Sequence, residues 1–259
     1  MLVDMPVRSA VISALVCLAV TGCAGALPTQ TVTHPIPAPS QTQLTGTALK
    51  SALLALSDFP SGYEIDTQET VDTGPTLLPG GSTSRASTSQ NCQQLAQALQ
   101  SPSAGLTGGV FEILYDATMN HLSSYHQRRY GQSVFQFATT SASTAYFDSV
   151  RFTFSRCSSV TAKDGDTTTA MKQTVNPVSI VAGHEALLVR QTGTVNRVNV
   201  DSIQLFTIDG TDVYVVGATV FGVPLTVQPS ALAALAAKLI ARVHSFECAL
   251  ACTSQAAAG

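Results

Sequence analysis

Residues 184–221 read HEALLVRQTGTVNRVNVDSIQLFTIDGTDVYVVGATVF, and this stretch decides the fold. It divides into three strands in succession. The last two meet at Ile208-Asp209-Gly210-Thr211, and Asp-Gly between two apolar runs is a strong hairpin signal, because both central positions of the favoured turn need φ > 0. The closing run, Val213 to Phe221, is apolar on both of its faces, which suits a central strand covered on each side.

Working outward, the flanks supply more strands and several helices. Val110 to Asp116 alternates, with Phe111, Ile113 and Tyr115 on one face, and Gln132 to Ala138 reads the same way through Phe135 and Phe137. Ala170 to Ser179 is a further expected strand. A short helix is expected over Ala48–Leu56 with Leu49, Leu53 and Leu56 near one face. A second starts at Asn91, where Cys92, Leu95, Ala96 and Leu99 make one stripe. A third runs from Ser141 to Cys157 with Phe147, Val150, Phe154 and Cys157 as its stripe. The last begins at Pro229, a suitable first helical position, and carries Leu232, Leu235, Leu239, Val243 and Phe246. The order α-α-β-β-α-β-β-β-β-α has no βαβ repetition. It predicts the α+β class: a mainly antiparallel sheet with helices packed on one face, stabilised by disulfides.

The N-terminus carries an address. Arg8 is the positive end, Ala10 to Val20 is a short apolar core, and Val20-Thr21-Gly22-Cys23 closes it. The apolar core is too short for a comfortable transmembrane helix. The closing tetrad resembles the lipobox of bacterial lipoproteins, which implies diacylation of Cys23 and cleavage before it. Both Met1 and Met5 are possible starts. The expected organisation is a signal peptide over 1–22, a lipid-anchored tether over 23–45, a folded domain over 46–248 and a flexible tail over 249–259. The tether is rich in Thr, Gln and Ser and stiffened by Pro28, Pro35, Pro37 and Pro39. Residues 66–90 read as a mobile loop.

Of 259 residues only 11% are charged, the net charge is −3, and there is no Trp. That balance gives no basic footprint for nucleic acid and no aromatic platform for sugars or bases. Cys17 and Cys23 belong to the signal, leaving Cys92, Cys157, Cys248 and Cys252 in the exported part. Four cysteines allow three pairings. Cys92 and Cys157 both lie on buried helical stripes, so the preferred set is Cys92–Cys157 with Cys248–Cys252. The second bond requires the last helix to end near Phe246, because it cannot form inside a regular helix.

The order of motifs resembles the PknH-like extracellular sensor domains of actinobacteria, found on a receptor serine/threonine kinase and in free-standing lipoproteins. The matching residues are Leu56-Ser57-Asp58-Phe59-Pro60-Ser61-Gly62-Tyr63, then Cys92-Gln93-Gln94-Leu95, the Ala145 to Cys157 helix, Val181-Ala182-Gly183-His184-Glu185-Ala186-Leu187 and the terminal Ala/Leu helix. The resemblance covers residues 48–246. It implies a disulfide-stabilised α+β domain with a cleft for a ligand. The Cys248/Cys252 pair departs from it.

No nucleophile elbow, zinc-binding His-Glu-x-x-His or phosphate loop is present. No catalytic residue, metal ligand set or cofactor is therefore expected. The candidate contact surface is the polar stretch His121 to Tyr130, expected as a connector between two strands. Its binding candidates are Tyr125, His126, Arg128, Arg129 and Tyr130, because guanidinium groups grip carboxylate or phosphate and phenols add an amphipathic face. The functional expectation is a lipid-anchored, non-catalytic sensor or ligand-binding domain on the extracytoplasmic face of the cell membrane. Its partner would be a small ligand or an envelope protein. The alternative is a carrier of lipid or glycolipid in the envelope.

Overall fold

The computed structural model describes residue 44 and residues 46–67, 71–73, 85–86, 105–119, 126–164 and 167–257. The signal, the lipidation site Cys23, most of the tether, the expected helix at Cys92 and the candidate Tyr125 lie outside the described residues. Ten strands form one sheet, all of whose described pairings are antiparallel.

In chain order a short helix α1 (Gly46–Ser51) precedes β1 (Tyr63–Ile65), β2 (Val71–Thr73), β3 (Arg85–Ala86), β4 (Leu106–Asp116) and β5 (Gln127–Phe137). Helix α2 (Thr140–Arg156) follows. Then come β6 (Ser159–Asp164), β7 (Thr167–Val181), β8 (His184–Val195), β9 (Val198–Asp209), β10 (Asp212–Phe221) and helix α3 (Pro229–Ala257). Across the sheet the order is β1-β4-β5-β10-β9-β8-β7-β6-β3, with β2 also on β4. The hairpin β4–β5 and the run of hairpins from β6 to β10 thus meet at β5 against β10, paired from Gln127↔Phe221 to Gln136↔Asp212, and β3 pairs with β6 at the far edge.

The central strand expected at Val213–Phe221 is central, and both of its faces are buried. Tyr214, Val216 and Ala218 join the core under α1 and α3. Val213 and Val215 belong to the core under α2. Neighbouring residues of β8 divide in the same way, Ala186 and Leu188 to the first core and Leu187 and Val189 to the second. Helices therefore cover both faces, and the expectation of helices on one face is corrected. The reason was already in the sequence: strands apolar on both sides need a cover on each.

The turns show why the strands stop where they do. Asp212 pairs with Asp209, so the loop of the β9–β10 hairpin is Gly210-Thr211, one residue later than expected. Only Gly210 has positive φ there, the pattern of a II′ turn. At the β8–β9 turn both Asn196 and Arg197 have positive φ, the I′ pattern without its usual glycine.

Helix α2 begins one residue early because Thr139 caps it, its Oγ1 accepting from Ala142 N at 3.2 Å. Its Phe147 and Val150 are 1% exposed and Phe154 is buried with them. Helix α1 is shorter than expected and ends at Ser51. Leu56 lies in a 3-10 turn and is exposed, while Leu49 and Leu53 are buried. The expected loop over 66–90 contains the short strands β2 and β3. The segment after α2 forms the hairpin β6–β7, whose first strand was not expected.

Helix α3 overturns two cysteine expectations. It runs on through Cys248 and Cys252 to Ala257, so residues 249–257 are helix and not a frayed tail. Both thiols are free and exposed. Residues four apart on a helix have Cβ atoms about 5–6 Å apart, whereas a disulfide needs about 3.5–4.5 Å, so the Cys248–Cys252 bond cannot close. Cys157 is buried and disulfide-bonded, and its expected partner Cys92 lies outside the described residues.

Gln132, fully buried on β5, fastens the chain after α1 to the sheet. Its Oε1 accepts from Leu54 N at 2.9 Å, and its Nε2 donates to Leu54 O at 3.1 Å and to Glu112 Oε1 at 2.8 Å. Gln132→Leu should cost about 2 kcal/mol, because it leaves these buried groups unpaired. Urea unfolding of the variant measures it.

Candidate functional site

The polar stretch predicted as a connector is in part a strand. From Gln127 onward it is β5, which opposes Phe221 at the end of β10. The alternation of a strand then separates the candidates. Arg128 and Tyr130 project toward the α3 side with Val134, while Arg129 shares the other side with Gly131 and Ser133. His126 sits just before the strand and is exposed.

Arg128 and Tyr130 line a cavity of about 230 Å³ at this end of the sheet. Pro60, Ser61 and Tyr63 wall one side, Ala218 and Val220 of β10 form the floor, and Thr226 and Val227 close it from the segment leading into α3. Arg129 borders the cavity, but its guanidinium lies over the Phe221 ring at 5.7 Å and its Nε donates to Gln127 Oε1 at 2.9 Å. The structure thus brings together Arg128 and Tyr130, turns Arg129 aside, and adds two residues the sequence did not flag as a pair, Tyr63 and Asp116.

The electrostatics leave Arg128 under-satisfied. Its Nη1 is 3.9 Å from Asp116 Oδ2, a long contact. Asp116 spends its other oxygen on Thr118, accepting from the backbone N at 3.0 Å and from Oγ1 at 2.5 Å. The Arg128 Nε is buried and has no hydrogen-bond partner. An unpaired buried donor carries its full desolvation cost, and an acceptor of negative charge would relieve it.

The two phenols stand beside this cation. Tyr63 and Tyr130 rings meet edge to face at 5.1 Å, and Phe59 backs Tyr130 at 5.5 Å. Burial holds the Tyr63 hydroxyl well above the usual phenol range, with the neighbouring Tyr130 and Asp116 adding to it. Burial raises Tyr130 as well. Both therefore remain neutral O–H groups. The cavity offers the Arg128 cation, with Arg129 at its border and the Asp116 carboxylate in its wall, hydroxyl donors and an apolar floor, which can hold a small group with an anionic end.

A second polar cluster, at the opposite end of β10, was not foreseen. Asp209 Oδ1 is 3.3 Å from His184 Nδ1, and its Oδ2 is 2.6 Å from His244 Nε2. Beside them Gln136 Nε2 donates to Asp212 Oδ2 at 3.4 Å and to Glu247 Oε1 at 3.2 Å. As expected for adjacent strand residues, Glu185 points elsewhere, to Arg151. Among the described residues no group of three or more His, Cys, Asp or Glu is placed to hold a metal ion.

The sequence matches no family model and no curated protein. Among solved structures the chain is similar to the extracellular domain of PknH from Mycobacterium tuberculosis. The TM-score is 0.57 and the identity 16%, over 79% of this chain and 99% of that domain. A second structure, the Rv0999 ortholog from Mycobacterium smegmatis, aligns at 10% identity over 79% of this chain and 98% of its own. Its TM-score of 0.38 is too low to carry an argument. The first likeness shows the fold, and it is the fold that the order of motifs predicted.

Proposed function

We propose that this chain, folded like the extracellular domain of PknH, is a non-catalytic sensor or ligand-binding domain of the bacterial cell envelope. It would be lipid-anchored through Cys23 on the extracytoplasmic face of the membrane. The observation that carries the binding reading is the buried, unpartnered Arg128 Nε at the wall of a cavity that also presents Tyr63 and Tyr130. The ligand class that fits is a small molecule or partner side chain ending in carboxylate or phosphate. The cavity is smaller than the roughly 300–1,000 Å³ of typical drug-sized sites, and its lining is largely polar, which favours this reading over a carrier of lipid.

The anchor is supported by the lipobox-like Val20-Thr21-Gly22-Cys23. Cys23→Ser should move the protein from the membrane fraction to the soluble fraction, since acyl chains supply the attachment. Retention of the variant in the membrane fraction would reject the anchor. The disulfide of Cys157 is assigned to Cys92. Peptide mapping without reductant should recover the two linked, and recovery of Cys157 with any other cysteine overturns the assignment.

The binding test uses acetate and inorganic phosphate as probes of the anion site, followed by NMR of the arginine side-chain N–H groups. We expect the Arg128 Nε–H resonance to shift on titration. In Arg128→Ala the affinity should fall about tenfold or more, the worth of a charge-assisted hydrogen bond. Unchanged binding in the combined Arg128→Ala, Arg129→Ala variant would remove this cavity from consideration. Native mass spectrometry of the mature protein separates the alternatives, because a discrete lipid-sized adduct would establish the carrier.

A further inference from the structure

Glu247 is the last acidic residue of α3, and it meets a buried acid of the sheet. Asp212 opens β10 and is 4% exposed. One side-chain amide, that of Gln136 on β5, donates to both carboxyl groups, at 3.4 Å to Asp212 and 3.2 Å to Glu247. Glu247 lies one turn beyond Val243, the last fully buried residue of the helix, with Phe246 only partly buried between them. The junction therefore sits where packing of the helix gives out.

Among the described residues the surroundings contain no strong base to neutralise two anions. From β10 comes the Tyr214 hydroxyl, 3.3 Å from Asp212 Oδ2, and from the turn before it Thr211, whose Oγ1 is 3.3 Å from Asp212 Oδ1. From β9 comes Asp209, a third acid that acts on Glu247 and Tyr214. His184 of β8 and His244 of α3 both lie against Asp209 and are charged only when protonated. Among the described residues no lysine or arginine acts on Asp212, Glu247 or Tyr214.

We propose that Asp212, Gln136 and Glu247 form a proton-operated clasp that holds the end of α3, from His244 onward, to the sheet in acid and lets it go as the pH rises. A proton shared by the two carboxyl groups lets both sit on one amide. Its loss leaves two like charges in a partly dry site, which separate by lifting the less buried one, Glu247, into water. Burial, reinforced by Glu247, pushes Asp212 up to about 7. Burial, with Asp209 and in spite of the hydrogen bonds with Asp212 and Gln136, raises Glu247.

The sign follows from linkage. Both acids are raised in the folded state, so that state holds the proton more tightly than the unfolded chain. The stabilisation is complete below the ordinary carboxylate range and is lost as pH climbs through about 7.

Amide hydrogen exchange of the full mature protein between pH 5 and pH 8, corrected for intrinsic exchange rates, tests the clasp. Protection of peptides covering residues 244–250 should fall about tenfold or more across this range. Peptides covering residues 232–240 report the buried half of the same helix and should not follow. Glu247→Gln keeps an amide-bonded side chain at a half-buried position but removes the shared proton, and most of the fall should vanish with it. Equal protection at both pH values, or a fall in the variant as large as in the parent, overturns the proposal.

Discussion

Alanine in place of Gly193 should lower stability by about 4 kcal/mol, among the larger losses a single substitution produces. A Cβ at Gly193 would lie 1.9 Å from the Ala170 carbonyl oxygen and 2.8 Å from Met171 Cα. Real Cβ contacts are not this short, and neither atom belongs to a side chain that can swing away. Gly193 pairs with Met171 in the β7–β8 ladder, and Met171 is packed with Val195, Val200 and Phe221. Relief therefore means parting the two strands or shifting their register, and a one-residue shift would turn every side chain of β8 to the wrong face. The loss should appear as a drop of roughly 10 °C in melting temperature. A melting temperature within a degree or two of the parent would mean that β7 and β8 are not paired in this register.

Phe147→Ala should cost about 3–5 kcal/mol, the range for deleting a buried aromatic ring. Phe147 is 1% exposed and packs among Phe135, Phe137, Leu187, Val189 and Phe206, while the Arg151 guanidinium lies 5.4 Å from its ring. This substitution discriminates between two architectures. In a sheet covered on one face only, α2 would be peripheral and the loss small. With α2 as the only helix over the second core among the described residues, the ring is central to it. Denaturant unfolding should show a lowered midpoint with an unchanged slope, which separates lost packing from a change in the unfolded chain.

Much of this was readable before the structure. The run Val213–Phe221 declared its double burial, and the stripes of α2 and α3 at Phe147, Val150, Leu232 and Leu239 are the stripes observed. The inference that fell short was the step from strand to layer, because a strand apolar on both sides already called for helices on both. The cysteines misled for a different reason. An even count suggested pairs, but the helix-forming run Glu247-Cys248-Ala249-Leu250-Ala251-Cys252 keeps its hydrogen bonds, and the thiols stay apart.

The candidate site was legible as chemistry and misread as structure. Arg128 and Tyr130 stood out as polar and aromatic residues in a chain poor in charge. Placed between two strands, they looked like a connector. They belong instead to the end of β5, where a cavity rather than apolar packing faces the strand. The Asp212–Glu247 junction left no trace in the sequence. Its two acids are far apart in the chain and meet only because α3 folds back along the β5–β10 seam, and a register argument within one strand cannot see across that fold.

The seam also sets an order of events. Every pairing from β6 to β10 joins strands that are neighbours in the chain, and so does β4 with β5. Short loops close at low entropic cost, so these hairpins can form early and independently. The β5–β10 ladder must bring together residues such as Gln127 and Phe221, with α2 and four strands between them. The β5–β10 ladder is therefore expected to close after the hairpins on either side of it have formed. A chain still being synthesised displays the unzipped margin of β5 for as long as β10 has yet to be made. That margin is where an aggregating neighbour would find purchase.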